Sequence, residues 1–170
     1  MKTIIIEHEL IVAQAIQDDL RIIDPSIEVL AMLRTVEDSV KWFSLNAPPD
    51  LAFMELQLVD GSSFAIFDRV VVSCPVIFTT AYDEYAVKAF EMKGIDYLHK
   101  PIERRALERA LSKFRELSEK PQYDRKWISE LKACIKKCRE SSKFNNFTDF
   151  EQEQEKTIAE RFVQLFKKKH

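Results

Sequence analysis

The feature that most constrains this chain is a fivefold alternation. Short apolar runs at Thr3–Ile6, Ile27–Met32, Leu51–Met54, Val76–Phe78 and Ile95–Leu98 are separated by stretches of helical periodicity. The helical stripes are Ile11, Ala15, Ile16 and Leu20; Val36, Val40 and Phe43; and Phe64, Ile66 and Phe67. Tyr85, Ala86, Ala89 and Phe90 make a fourth, and Leu107, Ala110, Leu111 and Phe114 a fifth. Five short continuous strands, each followed by a helix, predict a doubly wound α/β fold whose parallel sheet is covered on both faces. Asp24-Pro25-Ser26, Ala47-Pro48-Pro49-Asp50 and Asp60-Gly61-Ser62-Ser63 supply turns between the elements.

Composition narrows the function classes. Of 170 residues, 46% are apolar, enough for one domain with a sizeable core and an appendage. Only two glycines occur, Gly61 and Gly94, so no glycine-rich phosphate loop or dinucleotide fingerprint can be written. Lys and Arg number 26 against 28 Asp and Glu, which removes the basic excess of a wholesale nucleic-acid binder. Three cysteines, Cys74, Cys134 and Cys138, cannot all pair and show no zinc-site spacing. The N-terminal apolar run is too short for a signal peptide and no run reaches membrane-spanning length, so a soluble cytoplasmic protein with no membrane partner is expected.

A boundary falls near Lys120-Pro121, where helical periodicity meets a proline. Acidic residues outnumber basic ones before it, and basic ones outnumber acidic ones after it. Residues 1–119 read as the α/β domain and 120–170 as a helical extension or linker. In the second part Trp127, Leu131, Cys134, Ile135 and Cys138 form one amphipathic stripe. Ile158, Phe162, Leu165 and Phe166 form another, across a loop-like Glu140–Asp149. Each helix buries a single stripe and the first domain closes without them, so they are expected to mediate self-association.

Ligands of an open parallel sheet bind beyond the carboxyl ends of its strands. The strands here end in Glu7-His8-Glu9, in Glu55, in Thr79-Thr80-Ala81 and in His99-Lys100-Pro101. Acids, a hydroxyl and a lysine arriving at one rim suit a phosphoryl group: carboxylates hold a hard cation, while hydroxyl and lysine bind phosphate oxygens. His99 reads as a surface residue, Cys134 and Cys138 as packing, and Phe53, Phe64, Phe67, Phe78 and Phe90 as core. The terminal Lys167-Lys168-Lys169-His170 run needs no more than a solvated helix end.

The segments IIIEHE, PDLAFMELQLVDGSSF and CPVIFTTAYDEYAVKAFEMKGIDYLHKPI resemble the CheY-like receiver domain of bacterial two-component response regulators. The nearest variety is the one found upstream of LytTR-type DNA-binding domains (the LytR/AlgR type). The resemblance spans about residues 1–119 and implies a flavodoxin-like sheet of order 2-1-3-4-5. It assigns Glu7 and His8 to the acidic pair that holds Mg²⁺, Glu55 to the phosphoacceptor position, and Gln57 to the backbone carbonyl that ligates the metal. Thr80 and Lys100 match the phosphoryl-binding hydroxyl and lysine, and Tyr97 the aromatic that reports the phosphorylated state. The surface of the fourth helix, fifth strand and fifth helix often dimerises in the family, which nominates Asp83, Glu84, Lys88, Arg104, Arg105 and Arg109. It also implies a sensor histidine kinase as partner, and DNA only through a following domain, whose β-rich pattern is not found after Pro121.

Two positions depart from that pattern. His8 takes a carboxylate from the metal site, which leaves Glu7 and Gln57 a weakened pair of Mg²⁺ ligands. Glu55 replaces the acceptor aspartate, and its extra methylene carries the carboxylate about one bond further toward Lys100. In-line transfer depends on sub-ångström placement of the acceptor oxygen, so phosphotransfer by the ordinary route is not expected. Three outcomes compete: a receiver fold that signals without phosphorylation, an active-like state held by a Glu55–Lys100 pair, and residual phosphorylation or binding of another metal. A charged His8 beside Glu55 would make the pocket pH-sensitive. A regulator of transcription, a stand-alone interaction module and a metal-dependent phosphotransfer enzyme follow as functional classes, the last disfavoured by His8 and Glu55.

Overall fold

The aliphatic run Ile4, Ile5 and Ile6 is wholly buried and forms the middle of β1 (Lys2–Ile6). The computed structural model describes residues 1–81 and 96–118. From β1 the chain passes through α1 (Leu10–Ile23), β2 (Glu28–Leu33), α2 (Val36–Leu45) and β3 (Leu51–Glu55). A two-strand hairpin follows, β4 (Gln57–Leu58) with β5 (Gly61–Ser62), and then α3 (Phe64–Arg69) and β6 (Val76–Thr80). After residue 95 come β7 (Tyr97–His99) and α4 (Arg104–Ser118).

Five strands form one parallel sheet in the order β2-β1-β3-β6-β7. With the hairpin set aside, this is the expected 2-1-3-4-5 arrangement. Every residue of β3 and β6 is buried, which is why those strands carry continuous apolar sequence. The edge strand β2 differs: Glu28 and Leu30 are exposed, and no residue of it is fully buried.

One stripe is corrected by the structure. Ile11 is 85% exposed and Ala15 is exposed, while Ala13, Ile16 and Leu20 face the core with Val12 and Ile23 beside them. The run Ile11–Ile16 offers apolar residues to two helical phases, and the short link from Glu7 to Leu10 selects the second. The fifth-strand run begins later than expected, at Tyr97, and the fourth strand extends through both threonines. Leu107, Ala110 and Leu111 of α4 pack on the same core as Ile5, Phe53, Ile77 and Leu98. The fourth helical stripe, Asp83, Glu84, Lys88, Ile95 and all of the tail stripes lie outside the described residues.

The Asp60-Gly61 turn does more than reverse the chain. Gly61 has φ of 133°, a conformation side chains rarely adopt. Asp60, beside it, accepts from the amides of Val36 (2.7 Å) and Glu37 (3.1 Å), while the N-cap Thr35 hydroxyl accepts from Asp38 (3.0 Å). Ser63 closes the hairpin through its amide and hydroxyl on the Leu56 carbonyl (2.9 and 3.2 Å). The peptide after Glu55 is thereby tied down next to the rim. Cys74 is buried, and burial pushes its thiol up to about 12, so it stays neutral.

Candidate functional site

Burial does not stop where the apolar strands end. Glu7 follows Ile6 at 1% exposure and Glu55 follows Met54 at 5%. Both are carried inward by the sheet: the Glu7 amide donates to Leu33 of β2 (2.8 Å), and Glu55 stands opposite Thr79 on β6. An isolated buried carboxylate is costly, so partners are required.

Lys100 supplies most of them. Its amide donates to the Thr80 carbonyl (2.7 Å), and the Lys100-Pro101 peptide is cis. The ammonium lies 2.7 Å from Glu55 Oε1, 2.9 Å from Glu7 Oε1 and 3.1 Å from Glu9 Oε1. The Lys100 side chain is only 10% exposed, so these contacts form largely out of water. The second oxygen of Glu55 faces His8, with Nδ1 at 2.5 Å. Glu7 Oε1 also accepts from the Glu9 amide (3.0 Å), and Arg34 Nε donates to the His8 carbonyl (3.1 Å).

The charges settle accordingly. Burial, reinforced by a hydrogen bond with Glu55, lifts Glu7 from 4.5 to about 7. Burial works against ionised Glu55 too, but hydrogen bonds from Glu7, Lys100 and His8 outweigh it and hold its carboxyl below the ordinary range. Burial opposes the Lys100 ammonium as well, and its hydrogen bonds to Glu55 and Glu7 overcome that and raise it. The pocket holds an ionised Glu55, a charged lysine and a Glu7 poised to share a proton near neutrality.

Five of the expected residues therefore meet at one rim: Glu7, His8, Glu55 and Lys100 by direct contact, and Thr80 through the Lys100 backbone. The Thr80 side chain is buried. Tyr97 is half-buried on β7, opposite Phe78 rather than the acids. Gln57 sits two residues beyond Glu55 in the hairpin, and its buried Oε1 has no hydrogen-bond partner among the described residues. Arg104 is tied within the chain to Asp19 of α1 at 2.7 Å. Arg109 lines a cavity of about 460 Å³ with Asp96, Tyr97 and Glu103. His99 is exposed, as its place beside Lys100 led us to expect.

Sequence reasoning gave no role to Glu9. Its signal was the i, i+2 spacing from Glu7 at the strand end, which let both acids reach one cation.

The donor set does not fit the Mg²⁺ that the family resemblance implies. Magnesium requires near-octahedral oxygen ligands, whereas this rim offers an imidazole nitrogen, and an ammonium lies against both buried carboxylates.

Known proteins place this arrangement. The chain is 28% identical over 121 residues to the sensory transduction protein LytT of Bacillus anthracis, covering 68% of this chain and 47% of that protein. It is 41% identical over 73 residues to LytR of Streptococcus agalactiae, covering 41% of this chain and 30% of that protein. The chain spans about half the length of the first of these curated relatives. Among solved structures, the response regulatory domain of MrkE from Klebsiella pneumoniae matches with a TM-score of 0.57 at 26% identity, covering 69% of this chain and 97% of that domain. The Brucella abortus response regulator PhyR matches with the same TM-score at 23% identity, covering 69% and 50%, and speaks for the fold alone. No protein-family model matches the chain. The α/β unit of this chain has the fold of response-regulator receiver domains and is similar in sequence to the LytT and LytR signal-transduction proteins.

Proposed function

We propose that this receiver domain works without phosphorylation, with an internal ion pair in the place where the phosphoryl group would act. The observation that carries the reading is the engagement of both Glu55 oxygens, one by the Lys100 ammonium at 2.7 Å and one by His8 at 2.5 Å. A phosphoryl donor must reach an acceptor oxygen in line, with a divalent cation to neutralise the developing charge. Here the lysine that would bind the transferred group is already neutralising the acceptor position. The domain is regulatory rather than enzymatic, and its output follows from partner binding.

Transcriptional control is the output we favour, since one relative, 32% identical over 102 residues, is the transcriptional regulatory protein BtsR of Salmonella typhi. DNA contact in that case needs a domain other than the receiver. A homodimer, a sensor histidine kinase that binds without transferring phosphate, and a cytoplasmic location complete the proposal. Among the described residues, no helix is long and apolar enough to cross a membrane. Residues 120–170 serve as the helical extension that joins or pairs such units, and light scattering on a chain ending at Glu119 should show loss of the oligomer.

Acetyl phosphate with Mg²⁺ tests the central reading by intact-mass spectrometry. The wild-type chain should stay unmodified, while the Glu55→Asp, His8→Asp double variant regains a phosphoryl group. A stable wild-type phosphoprotein would overturn the proposal.

A further inference from the structure

The sheet ends at β2, which is paired with β1 on one side and, among the described residues, with no strand on the other. Such a border presents open amides and carbonyls and is normally guarded by a lysine or a proline within the strand. The sequence of β2 is EVLAML, with neither. Leu30 is 39% exposed, and the ladder to β1 steps over it, since Thr3 pairs with Val29 and Ile4 with Ala31. The charges stand only at the ends: Glu28 opens the strand and Arg34 follows its last residue, both exposed. They are opposite in sign, and neither forms an ion pair among the described residues; Arg34 donates from Nε to the His8 carbonyl at 3.1 Å.

We propose that β2 pairs with β2 of a second copy of this chain, antiparallel about a two-fold axis at Ala31, so that the two five-stranded sheets join edge to edge. A two-fold contact brings the same patch of both copies together, and a strand then meets its own copy in the antiparallel sense. Centring on Ala31 sets Glu28 of each copy opposite Arg34 of the other, and Leu30 opposite Met32. Both charges gain a partner, and apolar residues meet apolar ones between them. A slip along the strand separates the charges, so they also fix the register. The order acid, apolar, base makes the strand its own complement, which selects a second copy over an unrelated strand. The inference rests on the homodimer proposed above and gives it a surface within the α/β unit.

A pair of strands buries less than a standard interface, so a covalent trap reads the contact better than mass alone. Facing residues of an antiparallel pair have Cα atoms about 4.5–5.5 Å apart, within the span of a disulfide. The full chain carrying Ala31→Cys in a Cys134→Ser, Cys138→Ser background should form a disulfide-linked dimer with oxidised glutathione. Adding Glu28→Arg or Arg34→Glu should slow the cross-link about tenfold or more, because each faces like charges across both ends of the contact. Combining the two substitutions in one chain should restore it. An equimolar mixture of the two single variants should cross-link to each other rather than to themselves, as intact mass will show. Thermal melts verify that each variant is folded, and sedimentation velocity reports the oligomer independently. A dimer in sedimentation without the cross-link, or a cross-link indifferent to the charge changes, would overturn the strand contact and leave the homodimer standing. A monomer that does not cross-link would overturn both.

Discussion

The middle of the sheet and the acids at its rim are both buried and are held together by opposite means. Ile6 and Met54 are wholly hidden, and the residues that follow them, Glu7 and Glu55, are still only 1% and 5% exposed. In the middle, burial is favourable in itself and the contacts are interchangeable in kind. At the rim, burial is unfavourable for the charged groups, and only the pairing of two acids with a lysine, together with a hydrogen bond between His8 and Glu55, offsets it. The lesson is that one strand can change from a packing problem to an electrostatic one within a single residue. Perturbations of the two regions should then differ in their dependence on pH rather than in their size.

The largest effect is expected at the lysine. Lys100→Met leaves Glu7 and Glu55 without their shared cation and should cost about 3–5 kcal/mol at pH 8 in denaturant unfolding, as breaking a buried ion pair does. The loss should shrink at pH 5, where the two carboxyls can take up protons instead. Phe53→Ala, in the fully buried middle, should cost a similar ~3–5 kcal/mol with no such pH dependence. A Lys100→Met loss that is flat across pH would erase the contrast.

Glu7 sharpens it further. Its carboxyl is lifted from 4.5 to about 7, so the folded state keeps a proton that the unfolded chain releases. The stabilisation from this group is therefore complete below about pH 4.5 and is lost as pH rises through about 7. Glu55, held below its ordinary value, works the other way and loses its stabilisation as pH falls. Glu7→Gln should remove the first component, so that the variant gains on the wild type as pH is raised from 5 to 8. Equal slopes in the two proteins would show that Glu7 is not the proton holder.

The smallest effect belongs to the exposed ion pairs. Arg104–Asp19 joins α4 to α1 at 2.7 Å, but the arginine side chain is 49% exposed. Arg104→Ala should cost no more than about 1 kcal/mol, and salt should abolish the difference.

Much of this was legible from the sequence, and the reasons are local. Strands such as Leu51–Glu55 announce themselves because both their faces are covered, which forces continuous apolar residues. The convergence of Glu7, Glu55 and Lys100 followed from their positions at strand ends, together with the rule that parallel sheets bind ligands there. The phase of α1 did not follow, because Ile11–Ile16 supports two apolar stripes and a link of three residues decides between them. Nor did the hairpin, whose two-residue strands lie below any periodic signal and depend on Gly61 and on Ser63 hydrogen bonds. The part played by Glu9 was hidden for a different reason: a half-exposed acid acquires its role only when a distant lysine arrives beside it.

The coupling between Lys100 and Glu55 holds the rim together, and a double-mutant cycle measures it. Unfolding free energies of the wild type, Lys100→Met, Glu55→Gln and the double variant at pH 7 give the interaction directly. A coupling of about 1.5 kcal/mol or more that persists in high salt is expected. Additive losses, within about 0.3 kcal/mol of zero coupling, would contradict it.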